Sequence, residues 1–288
     1  MKKCAFLTLD ETGDFVIDDE HAIKPLRALG WQVSTVSWRQ TRIAWRDFDI
    51  VIIRSTWDYW NDVPTFLDTL ERINRETLLA NGLELVRWNL AKTYMRDLRK
   101  KGVGIVPTLW ANSLDVDFFT KYQAELGTDE IVVKPVVGAN GEDAFRVSKD
   151  DTTERLESIS ACFHQRDCMI QPFMPDIITE GEFSLFFFGG IYSHAVLKIP
   201  AKSEFRSQEE RGAEIRSITP EDKLLLRAGQ AMEVISPSPL YARIDFIRNG
   251  NDFLVMELEL IEPSLYLRMD PLAPGRFAAS IDQWACSA

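Results

Sequence analysis

Residues 241–264 read YARIDFIRNGNDFLVMELELIEPS: two apolar strands, each carrying carboxylates, joined by a turn at Asn249, Gly250 and Asn251. Alternation along a strand sends Glu257 and Glu259 to one face and Leu258 and Leu260 to the other. Asp245 joins the two glutamates if an odd number of residues, three or five, separates the paired strand ends, because directly opposed residues share a face. Three such carboxylates repel one another unless a cation sits among them, and all-oxygen ligation suits magnesium or manganese. The competing reading is a hairpin edge with a solvated acidic face.

Outward from this hairpin, 288 residues leave room for two or three compact units. The 33 basic against 44 acidic residues give a net charge of -11, which argues against nucleic acid as a partner but allows a small, locally neutralised phosphate compound. Cys4, Cys162, Cys168 and Cys286 are scattered without metal spacing, as are His21, His164 and His194, so no zinc site is expected. The start, MKKCAFLTLDETGD, reaches acids after too few apolar residues for a signal peptide, and no apolar run approaches membrane-spanning length. A cytoplasmic protein with reduced thiols is expected.

Strands expected at 3–9, 31–37 and 48–54 alternate with helices at 19–29 and 63–79, which implies a parallel sheet. Gly13 stands alone, so there is no dinucleotide fingerprint. After the third strand come Arg54, Ser55, Thr56, Trp57, Asp58 and Tyr59, where open parallel sheets bind ligands. A cation, hydroxyls and aromatics there could bind a small zwitterion. The alternative is an aromatic plug at a domain interface, with Arg54 paired to Asp58. Asn89 is expected to cap a helix over 90–101 ended by Gly102, with Lys92 in the first turn, either touching a phosphate or simply solvated.

Residues 130–147, EIVVKPVVGANGEDAFRV, read as two strands about a glycine-containing loop. Lys134 interrupts an apolar run and needs a partner. Gly138, Ala139, Asn140 and Gly141 lack bulky side chains, so their amides could approach phosphate oxygens, although Asn-Gly is also a hairpin signal. Gln171, Pro172, Phe173 and Met174 end a strand whose extended backbone could read an adenine edge. Glu182 opens a strand pair that meets at Gly189 and Gly190 and could accept from ribose hydroxyls; Lys198 ends the second strand. The charge-dense segment 201–216 is expected to be a loop, either a substrate lid or a solvated connector. Thr219 and Pro220 should start a helix, and 265–288 carries no readable motif.

In order, Lys92, Lys134 with its glycine loop, Gln171 to Met174, Glu182, Lys198, Asp245, Glu257 and Glu259 resemble the ATP-grasp superfamily from about residue 86 to 264. The similarity to glutathione synthetase, D-alanine:D-alanine ligase and the ribosomal-protein glutamate ligases is at motif level. The ending ELELIEPSLY resembles the branch that contains D-cycloserine synthetase. This resemblance implies an α/β ATP-grasp fold. An N-terminal βαβ parallel-sheet domain over 1–85 would precede two α+β subdomains, 86–170 and 171–288, that clamp the nucleotide.

It also implies roles. Lys92 and Lys134 would contact ATP phosphates and adenine, and Gly138, Ala139, Asn140 and Gly141 would close over the triphosphate. Gln171, Pro172, Phe173 and Met174 would form the adenine hinge, Glu182 would take the ribose and Lys198 the terminal phosphate. Asp245, Glu257 and Glu259 would hold magnesium. The last of these is often Asn in such ligases, and the extra charge should tighten the metal. Arg206 or Arg211 would steady an acyl phosphate and the substrate carboxylate, and Arg54 to Tyr59 would select the substrate.

The implied activity is that of an ATP-dependent carboxylate-amine ligase, working through an acyl phosphate on a small amino-acid-like molecule, with amide closure inside one molecule as a variant. Modification of a peptide or protein terminus and a catalytically silent nucleotide-binding module are the alternatives; an oligomer is compatible with all three. Phosphoryl transfer needs positioning and charge neutralisation rather than a protein nucleophile, which agrees with the lack of any Ser-His-Asp or Cys-His arrangement.

Overall fold

The computed structural model describes residues 1–202 and 204–287. In it β1 (Lys2–Thr8), α1 (Glu20–Ala28), β2 (Trp31–Ser37), β3 (Ile50–Ser55), α2 (Val63–Glu76) and β4 (Leu78–Ala80) build a parallel sheet ordered β2-β1-β3-β4. Helices α3 (Leu83–Asn89) and α4 (Tyr94–Lys100) lead into an antiparallel sheet of β5 (Leu109–Ala111), β6 (Glu130–Pro135), β7 (Phe145–Ser148) and β8 (Cys168–Pro172), ordered β5-β8-β6-β7 and packed against α5 (Phe118–Leu126) and α6 (Thr153–Cys162). After α7 (Asp176–Thr179) come β9 (Glu182–Phe188), β10 (Ile191–Ile199), β11 (Glu214–Ile218), α8 (Asp222–Met232), β12 (Tyr241–Asn249) and β13 (Asp252–Glu259). They form a second antiparallel sheet, ordered β11-β10-β9-β12-β13, and α9 (Ala273–Ser287) ends the described chain. The expected division points fall inside elements: α3 runs across residue 86 and β8 across residue 171.

The parallel sheet is covered on both faces, which is why its strands read as unbroken apolar runs. Cys4 and Phe6 pack with Ala22, Leu26, Phe277 and Ile281, whereas Ala5 and Leu7 pack with Phe66, Leu70 and Ile73. The tail without a motif is therefore α9, which closes the face opposite α2. No helix among the described residues is long and apolar enough to cross a membrane.

Several expected boundaries move for identifiable reasons. The helix expected over 63–79 stops at Glu76, and Leu78–Ala80 becomes the edge strand β4. Asn89 ends α3 instead of capping a helix: its amide donates to the Leu258 carbonyl at 2.8 Å and its oxygen accepts from the Leu260 amide at 2.8 Å. Lys92 lies between α3 and α4, and its amide is already bonded to the Val136 carbonyl, so it is not in a helix first turn with free amides. The first residue of α8 is Asp222, with Glu221 rather than Thr219 before it. The end of the charged segment, expected as loop, is the strand β11.

The decisive hairpin departs from expectation in an instructive way. Asn249 pairs with Asp252, so only Gly250 and Asn251 form the turn, an even number and not the odd one required. The parity is restored elsewhere. Phe246 opposes Val255 while Asp245 opposes Glu257, leaving Met256 as the extra residue of a β-bulge. Asp245 and Glu257 are thus directly opposed and share a face, and Arg243 opposes Glu259 on that same face.

Candidate functional site

That face lines a cleft between the two antiparallel sheets. The five-stranded sheet contributes Glu182, Lys198, Arg243, Asp245, Glu257 and Glu259, and the four-stranded sheet contributes Lys134 and the loop after β6. Lys92, Trp57 and Tyr59 complete one wall, while Val106, Val132, Met174, Ile177 and Met256 form an apolar slot. Asn81 and Asn89 bind main-chain groups at 240–241 and 258–260, which ties the strands bearing the carboxylates to the N-terminal part of the chain.

Charges are paired across the strands. Lys198 opposes Glu182 in register, forms an ion pair with it and lies 3.4 Å from Asp245 Oδ2. Ser184 Oγ donates to Asp245 at 2.5 Å, and the Arg243 guanidinium reaches Asp245 at 3.1 Å and also pairs with Glu259. Lys92 Nζ sits 2.9 Å from Glu257 and donates to the Gly138 carbonyl at 2.7 Å. Among the described residues Lys134 has no ion-pair partner, and burial lowers its pKa. Burial opposes the charge on Asp245, but Arg243 and Lys198 outweigh it and hold the carboxyl well below its usual range. Burial drives Glu259 up to about 7 in spite of Arg243, and drives Glu262 up to about 8 with further repulsion from Glu259.

The three carboxylates expected to gather round a cation already have cations of the chain against them. No three acidic, histidine or cysteine groups among the described residues form a ready ligand cluster, because Arg243 stands between Asp245 and Glu259 and Lys92 occupies Glu257. The donor chemistry nevertheless suits a hard divalent cation: the donors are all oxygen, and the acids Glu182, Asp245, Glu257, Glu259 and Glu262 outnumber Lys92, Lys134, Lys198 and Arg243.

The glycine loop is not a tight Asn-Gly hairpin, since Val133 is the last residue of β6 paired to β7, opposite Phe145. Asn140 and Gly141 take left-handed φ values of 56° and 63°. Asn140 Nδ2 donates to the Trp57 carbonyl at 3.1 Å, and Arg206 Nη1 donates to the Gly141 carbonyl at 3.3 Å. Gly138, Ala139, Asn140 and Gly141 all line the cleft, as do Gln171, Pro172, Phe173 and Met174. The Phe173 amide is taken by the Glu130 carbonyl at 2.9 Å, and Gln171 Nε2 donates to Thr108 Oγ1 at 2.9 Å. Glu182 accepts from Ser207 Oγ at 2.6 Å in addition to its pair with Lys198.

Of the remaining expected residues, Arg206 lines the cleft with its guanidinium on Glu204 at 2.6 Å. Arg211 lies outside the lining and holds Glu142 at 2.6 Å. Trp57 and Tyr59 reach the cleft, but Arg54, Ser55, Thr56 and Asp58 do not. Arg54 is buried and donates to Asp19 and to the Pro263 carbonyl, each at 2.8 Å; Ser55 bonds Thr8, and Asp58 takes Trp38 and Arg39. The expected pairing of Arg54 with Asp58 is therefore replaced by one with Asp19. Thr56 Oγ1 is buried without a hydrogen-bond partner among the described residues.

Arg243 and Glu262 are among the charged groups of the cleft that sequence reasoning missed, as are Glu142 and Glu210. Arg243 precedes Asp245 by two positions, so strand alternation alone places both on one face. Glu262 follows β13 in irregular backbone, where no periodicity points to it.

Comparison with known proteins agrees with this geometry. Residues 4–81 match the family described as D-cycloserine synthetase DcsG, N-terminal domain, and residues 103–228 match prokaryotic glutathione synthetase, ATP-grasp domain. The chain is similar to the cycloserine biosynthesis protein DcsG of Streptomyces lavendulae, with 27% identity over 278 residues, 90% of this chain and 91% of that one. It is 30% identical to the glutathione synthetase of Rhodopseudomonas palustris over 172 residues, 59% of this chain and 52% of that enzyme. The crystal structure of D-cycloserine synthetase DcsG superposes with a TM-score of 0.85 at 25% identity, covering 98% of this chain and 99% of that one. D-alanine–D-alanine ligase from Bacillus anthracis complexed with ATP shares the fold, with a TM-score of 0.70 at 16% identity over 100% of this chain and 98% of that one.

Proposed function

Because the chain belongs to the ATP-grasp superfamily, we propose that it is an ATP-dependent carboxylate-amine ligase for a small amino-acid-like substrate, and that it closes an amide within one molecule. The observation that carries this reading is the single cleft in which the opposed Asp245 and Glu257, with Lys198 and Arg243, face Lys134 and the glycine loop.

A carboxylate resists amines because oxide is a poor leaving group. Transfer of the terminal phosphoryl group of ATP gives an acyl phosphate, whose phosphate then leaves as the amine attacks. Lys134, with its charge uncommitted, and Lys92 would meet the phosphates, and amides of 138–141 would approach them from above. Lys198 would meet the terminal phosphate, and Arg243 would neutralise charge developing there. Adenine would lie in the apolar slot beside Met174 and Met256, and Glu182 would take the ribose. Since the Phe173 amide is committed to Glu130, main-chain reading of the base would fall to Met174. ATP-grasp ligases use a divalent metal with ATP; here Asp245, Glu257 and Glu259 would hold magnesium or manganese, whose charge offsets that of the transferring phosphoryl group.

The test is incubation of the purified protein with ATP, magnesium and candidate amino-acid derivatives, following ADP and phosphate release and product mass. Stoichiometric ADP, phosphate and a product lighter than its substrate by one water are expected, with turnover lost in Glu257→Ala. Product formed without ADP, or full turnover in Glu257→Ala, overturns the reading.

A further inference from the structure

We propose that Glu262, with the rings of Trp57 and Tyr59, forms the subsite that receives the ammonium group of the substrate. The inference rests on the ligase reading above and adds which chemical end of the substrate the cleft recognises.

Four other carboxylates of the cleft have a cation of the chain against them: Glu182 has Lys198, Asp245 and Glu259 share Arg243, and Glu257 has Lys92. Glu262 differs. Only 9% of the residue is exposed, its side chain lines the cleft, and among the described residues that carboxylate has no hydrogen bond or ion pair. Its main chain is held in place from two sides. Trp57 Nε1 donates to the Glu262 carbonyl at 2.8 Å, and Arg54 Nη2 donates to the next carbonyl, that of Pro263, at 2.8 Å. A buried acid fixed in this way and left without a donor is costly unless a ligand supplies one.

Burial drives this carboxyl up to about 8, so without a ligand it is largely protonated, and a bound cation is the ligand that restores its charge. An anion gains nothing from it. A primary ammonium brings three N–H donors and a positive charge. Trp57 and Tyr59, 8% and 3% exposed, line the same wall, and aromatic faces attract cations. Glu262 is also the carboxylate whose charge acts most strongly on the Tyr59 hydroxyl. The expectation from the sequence, in which Arg54 itself would help select the substrate, changes accordingly. The arginine is turned beneath the site and fixes the segment that carries the acid.

The probe is ethylammonium chloride, titrated into the protein holding ADP and magnesium and followed by saturation-transfer NMR, with propionate as its anionic counterpart. ATP calorimetry on each variant reports folding. Ethylammonium should bind the wild type and propionate should not. Binding should weaken about tenfold or more in Glu262→Gln, as expected for loss of a charged hydrogen bond, and less in Glu262→Asp. Trp57→Leu supplies a second reading of the same site, with a several-fold loss expected. Ethylammonium binding to Glu262→Gln within about twofold of wild type would overturn the proposal. So would an equal weakening of magnesium in that variant, which would make Glu262 a metal ligand. If ethylammonium binding depends on Glu262 while no amino-acid derivative stimulates ADP release, the ligase reading fails and the subsite stands.

Discussion

Replacing Arg54 by methionine should destabilise the protein while leaving recognition of a substrate carboxylate untouched. The guanidinium donates through Nε to Asp19 and through Nη2 to the Pro263 carbonyl, and it lies 5.1 Å from the Tyr241 ring and 5.7 Å from the Phe277 ring. Methionine retains most of the stem volume, so the cavity contribution is small and the loss is electrostatic. Removing one partner of a buried pair costs about 3–5 kcal/mol. Two features place Arg54 at the lower end. Asp19 keeps 13% of its side chain exposed, and Arg54 Nη1 already lacks a partner among the described residues of the native state. A loss of about 3 kcal/mol is therefore expected, which lowers a urea midpoint by about 1–2 M. Urea titration followed by tryptophan fluorescence measures it, and the Arg54→Met/Asp19→Asn double variant should lose less than the two single losses combined. A loss below about 1 kcal/mol would refute this reasoning.

Burial holds the imidazole of His194 down at about 4, against 6.5 for the exposed group, with its Nε2 3.0 Å from the Leu265 carbonyl. The unfolded chain therefore takes up the proton first: stability from this residue is complete above 6.5 and falls as pH drops toward 4, by about 2 kcal/mol at pH 5. His194→Gln should abolish that increment in denaturant titrations at pH 7.5 and 5, and an unchanged increment would contradict it. The comparison must be a difference between variants, because Glu259 and Glu262, pushed up to about 7 and about 8, act with the opposite sign. Their contribution is greatest below the ordinary carboxyl range and is lost as pH rises through those values. Lys134→Ala should weaken ATP binding about tenfold by calorimetry, since its charge has no ion-pair partner among the described residues; unchanged affinity would remove it from the phosphate site.

Strands and pairings set by local pattern were legible. β2, β9 and β10 fall where alternation and the Gly189-Gly190 turn put them. What escaped depends on contacts distant in sequence. Nothing near Asn89 shows that its amide is needed by the main chain at 258 and 260, and nothing near Arg54 shows that Asp19 and Pro263 will enclose it. A cap or an ion pair with a neighbour is the economical local guess, and in both cases tertiary packing overrides it. Of the cleft, the alternating acids were readable, and the same alternation sets Arg243 beside Asp245. Which further acid each cation meets, Arg243 with Glu259 and Lys92 with Glu257, is defined only by the folded register.

The hairpin shows how such a register can be read after all. Were β13 regular, the two-residue turn would set Asp245 against Met256 and Glu257 against Ile244, a core residue, forcing the glutamate among apolar side chains. The composition of β13 forbids this. Its buried residues are Phe253 and Val255 before the bulge and Leu258 after it, with Leu260 just past its end, so the apolar phase moves from odd to even positions across Met256. A strand whose apolar alternation changes phase must gain a residue there or bury a charge, and inserting one unpaired residue costs less than desolvating two carboxylates without partners. The slip is visible in DFLVMELEL itself. The same extra residue that turns Glu257 toward Asp245 leaves Met256 lining the apolar slot, so one irregularity shapes the acidic and the apolar ends of the cleft together.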